Sequence, residues 1–252
     1  MVLVSVIIPY FNKQKYISRT IYSVLNQSFK NIEILIVFDD SKKKNLKILK
    51  NLAKKDKRIK IIVNKNNLGV AKSRNKAIKL SKGEFIAFID SDDIWKKDKL
   101  KFQVNYMKKN NILFSHTSYK IINKNGKIIG KFKVKKNNNY KELLKSCDIG
   151  LSTVVSNKKV FLKHKFPIQK TKEDFSLWLK LAKRNIPLVG LNKYSTLWRS
   201  VPNSLSSSIF QRIRDAYRVY SYEEKKGFFI SMYYVLILSI NSLIKKNRIF
   251  NL

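Results

Sequence analysis

The first third of the chain alternates short apolar runs with helix-length amphipathic segments, and few folds accept that pattern. Residues 2–8 form a continuous β-branched run, the signature of a strand buried on both faces of a parallel sheet. Pro9 is expected to end it. Tyr16, Ile17, Thr20, Ile21, Val24 and Leu25 then recur at helical spacing, followed by a second apolar run over residues 34–38. Leu46, Leu49 and Leu52 mark another helix, Ile59–Val63 a third strand, Val70–Leu80 a helix and residues 85–89 a fourth strand. This order predicts an α/β fold with a doubly wound sheet, parallel strands at its centre and helices on both faces. Ligands of such sheets bind beyond the carboxyl ends of the strands. That rule brings "PYFN", "DDS" and "DSDD" into one crevice.

The 252 residues suit one large α/β domain, or a domain and a half. A formal net charge of +38 predicts attraction to an anionic partner: nucleic acid, an anionic membrane leaflet or a phosphorylated substrate. The joint richness in Lys, Asn, Ile, Phe and Tyr offers a second origin for that charge, AT-biased coding on a solvated surface. Cys147 is the one cysteine, which excludes an internal disulfide, fits a reducing compartment and reads as a small buried apolar residue. His116 and His164 are too few for a zinc site and read as structural. The start "MVLVSVIIPY" has no basic leader and meets Pro9 early, so the expectation is a chain that enters directly with a strand. No G-x-x-x-x-G-K-[ST] or G-x-G-x-x-G is present, which removes P-loop kinases, ATPases and dehydrogenases from consideration.

Beyond Leu100 the pattern changes. Residues 112–114 read as a short strand, "IINKNGKII" as a hairpin with a type I′ turn at Asn125-Gly126, residues 174–183 as a helix and 187–191 as a further strand. Residues 200–208, "SVPNSLSSS", are the best linker by composition, with helices rich in Arg and Tyr after them.

Only 16 residues are acidic against 54 Lys and Arg, yet Asp90, Asp92 and Asp93 crowd together at the end of the fourth strand. Such crowding is unfavourable unless a cation or backbone donors compensate it. Asp90-Ser91-Asp92 is a D-x-D pattern, able to hold a hard divalent cation while leaving most of its shell to water and phosphate oxygens. Alternatively, Ser91 or Asp92 caps a helix starting near Ile94, with Asp93 in its first turn. Under either reading Asp93 belongs to the cap.

Taken in order, "VSVIIPYFN", "EILIVFDDS", "NNLGVAKSRNKAI", "GEFIAFIDSDDIW" and "KEDFSLWLKL" resemble the family 2 glycosyltransferases from about Val2 to about Trp198. The resemblance implies a Rossmann-like mixed sheet of the GT-A type with a C-terminal helical extension, and an inverting transfer from a nucleotide sugar. It divides the chain into a GT-A domain over 1–200, with a nucleotide-sugar-binding half (1–110) and an acceptor-side half (111–200), and an extension over 201–252. It implies that Pro9, Tyr10 and Asn12 lie at the nucleoside turn. Gapless matching to the usual "VVDDGS" puts Phe38 in place of the first Asp and Asp39 in place of the second, so Asp39 is assigned to the nucleoside and Asp40 is left without a role. Asn67, Gly69, Arg74 and Asn75 match "N-x-G-x-x-x-x-R-N", whose Arg helps position the donor. Asp90 is implied to face the ribose and a divalent metal, Mn²⁺ or Mg²⁺, and Asp92 to ligate the metal directly. Asp174 is implied to be the base that takes the acceptor's proton, with Glu173 in support; outside this framework an acidic pair there reads as a helix N-terminus.

The implied partners are a UDP-sugar and a saccharide or lipid-linked saccharide acceptor of the bacterial cell surface. Scattered basic residues give no specific nucleic-acid motif, and non-specific nucleic-acid binding is the rival reading, with an inactive relative of the family as a third. Over 228–244 the C-terminal run is shorter than the roughly 20 apolar residues of a membrane span. Its Phe228, Phe229, Met232, Tyr233, Leu236, Ile237, Ile240, Leu243 and Ile244 share one helical face, with Lys225, Lys226, Lys245, Lys246 and Arg248 at the ends. It reads as a helix packed on the domain, lying on an anionic cytoplasmic leaflet, or both. The expected location is cytoplasmic, peripheral at the inner face of the membrane.

Overall fold

A computed structural model of the chain describes residues 2–201 and 209–250. The first half runs β1 (Val4–Tyr10), α1 (Ile17–Leu25), β2 (Ile32–Phe38), α2 (Lys43–Ala53), β3 (Ile59–Val63), α3 (Val70–Leu80) and β4 (Phe85–Phe88). Then come β5 (Ile94–Trp95), α4 (Lys99–Lys109), β6 (Phe114–Ile122), β7 (Ile128–Phe132), β8 (Asn137–Asn138), α5 (Tyr140–Leu143), β9 (Val155–Asn157), α6 (Lys158–Lys163), α7 (Glu173–Lys183) and β10 (Leu188–Arg199). Helices α8 (Ile209–Arg218) and α9 (Phe228–Phe250) close the chain. The sheet runs β3-β2-β1-β4-β9-β6-β10-β5, with β7 and β8 added at its sides. Strands β3, β2, β1 and β4 are parallel, as are β6 and β10, while β9 joins the two groups antiparallel to both β4 and β6.

Two apolar layers cover the sheet. Alternate residues of β1 and β2 point to opposite layers: Val6, Ile8, Ile34 and Ile36 pack with α1 and α4, while Ile7, Leu35 and Val37 pack with α3 and α7. Period-2 alternation with both faces buried is what a central parallel strand requires.

Pro9 does not end β1, which continues to Tyr10. Ile7 accepts from Ile89 of the β4 side, and alternation turns Pro9 to that same side, where β4 pairing has already stopped at Ile7; the missing N–H is not needed there. Ile94 begins no helix: Ile94 and Trp95 form β5 against β10, and α4 starts only at Lys99. The strand expected at 112–114 starts at Phe114 and runs to Ile122, absorbing the first arm of the hairpin, and the one expected at 187–191 continues as far as Arg199. The hairpin closes differently as well. Gly126 has φ +93° and donates to Asn123 O, while Asn125 is not in the left-handed region, which gives an ordinary turn followed by a bulge instead of type I′.

Residues 202–208 of the expected linker lie outside the described residues. The C-terminal helices join the main core: Ala216, Val219 and Tyr220, with Val235 and Leu238 of α9, pack into the layer holding Trp178. Asn241 donates to Lys145 O and Lys245 to Cys147 O, so α9 is laid along the domain by one narrow stripe. The opposite face is bare, with Phe229 84% and Leu236 60% exposed. Over Phe228–Lys245 this helix is long and apolar enough to cross a membrane, by length and composition alone.

Candidate active site

The carboxyl ends of β1, β2 and β4 open into one crevice, and the start of α7 meets it from the side. Each acidic residue there is held in a different way.

Asp39 and Asp40 leave the end of β2 in opposite directions. Asp39 is buried and accepts from the backbone N–H groups of Leu68 and Gly69, each at 2.8 Å, and from Asn64 Nδ2 at 2.9 Å. It thereby fixes the turn before α3. Gly69 sits at φ +82°, which a side chain disfavours, and caps that helix. Asn67 Oδ1 also accepts from Gly69 N, so Asn67 shapes the same turn. Asp40 accepts from the N–H groups of Asn12 and Lys42 and from Asn45 Nδ2. Burial raises its carboxyl, but these donors outweigh burial and hold it below the usual range. Asp40 thus ties the loop after β1, with Asn12 at φ +50°, to the loop after β2. Pro9 is half-buried in β1. The Tyr10 ring belongs to the core, stacked 5.8 Å from Phe38, with its hydroxyl buried and unpartnered; burial and Asp40 push it up to about 12.

Arg74 is the junction of the site. Buried on α3 and resting 5.6 Å above the Phe166 ring, it donates to Asp90 Oδ1 at 2.9 Å and to Glu173 Oε1. One guanidinium therefore orients the acid at the end of β4 and the acid opening α7, which are far apart in sequence. Burial would disfavour its charge, but Asp90 and Glu173 keep it firmly ionised. Burial in turn pushes Glu173 up to about 7, against the pull of Arg74 and with Asp174 adding to the rise. Asp174 is half-buried and accepts from Phe175 N through Oδ1, while no hydrogen bond reaches Oδ2 among the described residues. Burial raises it too, in spite of Arg74. Before both acids Lys172 holds φ +62°, an unfavourable conformation for a side-chain-bearing residue, and it turns the chain so that α7 opens toward the crevice.

Asp90 keeps 38% of its side chain exposed, and Ser152 Oγ accepts its backbone N–H. Asp92 is nearly buried, with Oδ2 2.6 Å from Lys13 Nζ. Burial raises Asp92, Lys13 opposes the rise, and Asp90 adds to it. Asp93 is not a helix cap. Its Oδ1 accepts the backbone N–H of Arg199, whose Nε donates to Asp92 O, whose Nη1 donates to Asn123 O and whose guanidinium stacks 4.8 Å over Tyr16. Arg199 thus clamps the D-x-D turn against β10. Lys13, Arg199, Ser152 and the latch at Asp40 went unread in the sequence, since two cations among 54 and one serine carry no local signal. His116 and His164 are both buried and away from these acids; His116 lies 2.9 Å from Asn138 Nδ2, and burial takes it down to about 4. Cys147 is a half-buried free thiol against the core.

The donor set suits a hard cation. Asp90 and Asp92 offer oxygen only, and Asp92 already accepts a positive charge, Lys13's. No group of three or more His, Cys, Asp or Glu able to hold a metal ion occurs among the described residues, so most ligands to such an ion would come from water and phosphate.

This geometry agrees with the comparisons to known proteins. The profile of Glycosyl transferase family 2 matches residues 5–166, and the chain belongs to that family. It is 41% identical over 213 residues to the UDP-Glc:alpha-D-GlcNAc-diphosphoundecaprenol beta-1,3-glucosyltransferase WfgD of Escherichia coli, covering 84% of this chain and 83% of that one. Its fold matches S. aureus TarS 1–349, crystallised with UDP-GlcNAc, at a TM-score of 0.71 and 24% identity, covering 87% of this chain and 65% of that one. It also matches the mannosyltransferase PcManGT of Pyrobaculum calidifontis, crystallised with GDP-Man and Mn2+, at a TM-score of 0.65 and 16% identity, covering 89% of this chain and 65% of that one. The chain is a glycosyltransferase of the GT-A fold.

Proposed function

We propose that this enzyme transfers a sugar, with inversion, from a UDP-sugar to a hydroxyl of a lipid-linked saccharide during assembly of a cell-envelope polysaccharide. The observation that carries the reading is the Arg74 junction, which sets Asp90 and Glu173 on one guanidinium, next to Asp174. Residues 1–110 form the donor half and 111–200 the acceptor half, with 201–252 as an extension. Pro9 and Asn12 form the wall beside the nucleoside, with the buried Tyr10 ring supporting it from the core, Asp39 receives the base, and Asn67 shapes the turn over it. Asp92 and Asp90 are the residues that would hold a divalent ion, Mn²⁺ or Mg²⁺, and such an ion would supply positive charge to offset that of the departing diphosphate. Asp174 takes the proton of the acceptor hydroxyl as its oxygen attacks the anomeric carbon and the bond to the diphosphate breaks. Glu173 and Arg74 position that base. The donor class is supported by WfgD, whose name specifies UDP-Glc and a diphosphoundecaprenol acceptor, and by the UDP-GlcNAc bound to TarS.

The test is Asp92→Asn. Calorimetric UDP binding should lose its dependence on Mn²⁺ and transfer should be abolished while the fold persists, because charge is required and shape is not. Unchanged metal-dependent UDP affinity would remove Asp92 from this role.

The bare face of α9 favours a location as well. Its apolar residues face away from the domain, and lysines stand at both ends. The helix lies on the inner leaflet of the cytoplasmic membrane, apolar side down, and does not cross it, since its other face is bonded to residues 145–148. Anionic liposomes should retain the protein, neutral ones should not, and retention should weaken as salt rises. Equal retention on neutral vesicles would point to hydrophobic insertion without a charge requirement.

A further inference from the structure

Lys13 leaves the turn after β1 and reaches across the crevice to the loop after β4, where its ammonium meets Asp92 Oδ2 at 2.6 Å. The pair spans the gap between Asn12 and Asp90, the two flanks assigned above to the donor. Two other cations of the site are locked in place. Arg74 is buried between two carboxylates, and Arg199 is held by backbone carbonyls of Asp92, Asn123 and Lys124 and by the Tyr16 ring. Lys13 differs from both. Its side chain is 27% exposed, and among the described residues its ammonium bonds to Asp92 alone. It also stands on a flexible four-carbon stem.

Sharing Asp92 between this ammonium and a divalent ion is unfavourable, because the two cations repel at contact distance in a partly buried site. Losing the ammonium without replacement would leave Asp92 buried beside Asp90 and Asp93 with no compensating charge. An ammonium released at that point stands next to wherever a metal-bound diphosphate comes to rest, and that diphosphate brings the negative charge the ammonium has just lost.

We propose that Lys13 is an exchangeable counter-ion: it neutralises Asp92 while the crevice is empty and, when a divalent ion takes Asp92, turns onto the diphosphate of the nucleotide. Lys13 is thus a positioning residue for the donor and a competitor of the metal. The inference rests on the metal and nucleotide roles proposed above.

The experiment uses the full chain as parent, Lys13→Met and Lys13→Arg, titrated calorimetrically with Mn²⁺ alone, with UDP in saturating Mn²⁺, and with uridine. In Lys13→Met, Mn²⁺ alone should bind about tenfold tighter and UDP with Mn²⁺ about tenfold weaker, the scale of one charged contact. Uridine affinity should stay at the parent's value, since uridine carries no phosphate, and Lys13→Arg should keep UDP affinity near the parent's. A tighter Mn²⁺ site is the diagnostic result, because a merely structural lysine would not produce it. If the parent binds Mn²⁺ and UDP as expected and Lys13→Met alters neither, the exchange is wrong and the metal role stands. If UDP binding collapses in Lys13→Met while Mn²⁺ makes no difference to the parent, Lys13 replaces the metal permanently, and both the exchange and the metal role are overturned.

Discussion

The carboxylates after β2 and those after β4 lie in one crevice, yet they are held by different kinds of partner. Asp39 and Asp40 accept from backbone N–H groups and from amides, donors that cannot leave without unfolding a turn. Asp90 and Asp92 are held by the side-chain cations Arg74 and Lys13, and Asp174 keeps Oδ2 without a hydrogen bond among the described residues. The first pair is engaged by the fold, with one lone pair of Asp39 left for the base proposed above. The second group retains charge that a metal, a phosphate or a proton can still meet. Partner type therefore separates carboxylates that build the site from those that react in it, a distinction that residue identity alone does not carry.

Exchanging Asp for Asn on each side sharpens this contrast. Asp174→Asn should keep metal-dependent UDP binding near the parent's level, while turnover falls on the order of 10²- to 10⁴-fold, the usual cost of losing a positioned base. Its Oδ1 can still accept from Phe175 N, so a large stability loss or a parallel loss of UDP binding would remove Asp174 from the role of base. Asp39→Asn should do the reverse. An amide with its oxygen at Oδ1 keeps Asn64 and Leu68 but turns its NH₂ onto the N–H of Gly69. Unfolding in urea should show a loss of about 1–3 kcal/mol, the cost of a charge-assisted hydrogen bond replaced by two opposed donors. A fully stable Asp39→Asn variant would break the comparison, because Asp39 would then have charge to spare as well.

The same division explains what could be read from the sequence. Elements set by local pattern came out with their bounds: Ile59–Val63 and Val70–Leu80 are β3 and α3. The D-x-D and E-D pairs were visible because scarce acids stood at a strand end and before a helix. Pairing between distant segments was not visible. Whether Pro9 ends β1 depends on where β4 stops, and β5 exists only because β10 runs on to Arg199. The same holds for Arg74, whose place between Asp90 and Glu173 joins three segments that no single stretch contains. The family resemblance named the candidate site residues, but not that the Arg74 guanidinium bridges Asp90 and Glu173. A charge-rich composition hid Lys13 and Arg199 for a simpler reason, that nothing local distinguishes one lysine from the next.

The smallest expected effect concerns Glu173, which stands between the two groups: buried and cation-bound, but without a reacting atom of its own. Burial pushes its carboxyl up to about 7, above the ordinary value of 4.5 that it regains on unfolding. Between those values the folded state binds more protons than the unfolded state, so this residue makes stability fall as pH rises through that window and leaves it flat above. Glu173→Gln keeps the volume and an oxygen for Arg74 but cannot titrate. The variant should therefore show a shallower decline in urea midpoint between about pH 4.5 and 7 than the parent, with turnover reduced far less than in Asp174→Asn. Arg74 would then lean on Asp90 alone for charge. If the variant declines as steeply as the parent over that window, another group carries the pH dependence, and Glu173 is ionised together with Asp90 and Asp174. If its turnover falls as far as that of Asp174→Asn, Glu173 belongs with the reacting carboxylates and the line drawn between positioning and catalysis at the start of α7 has to move.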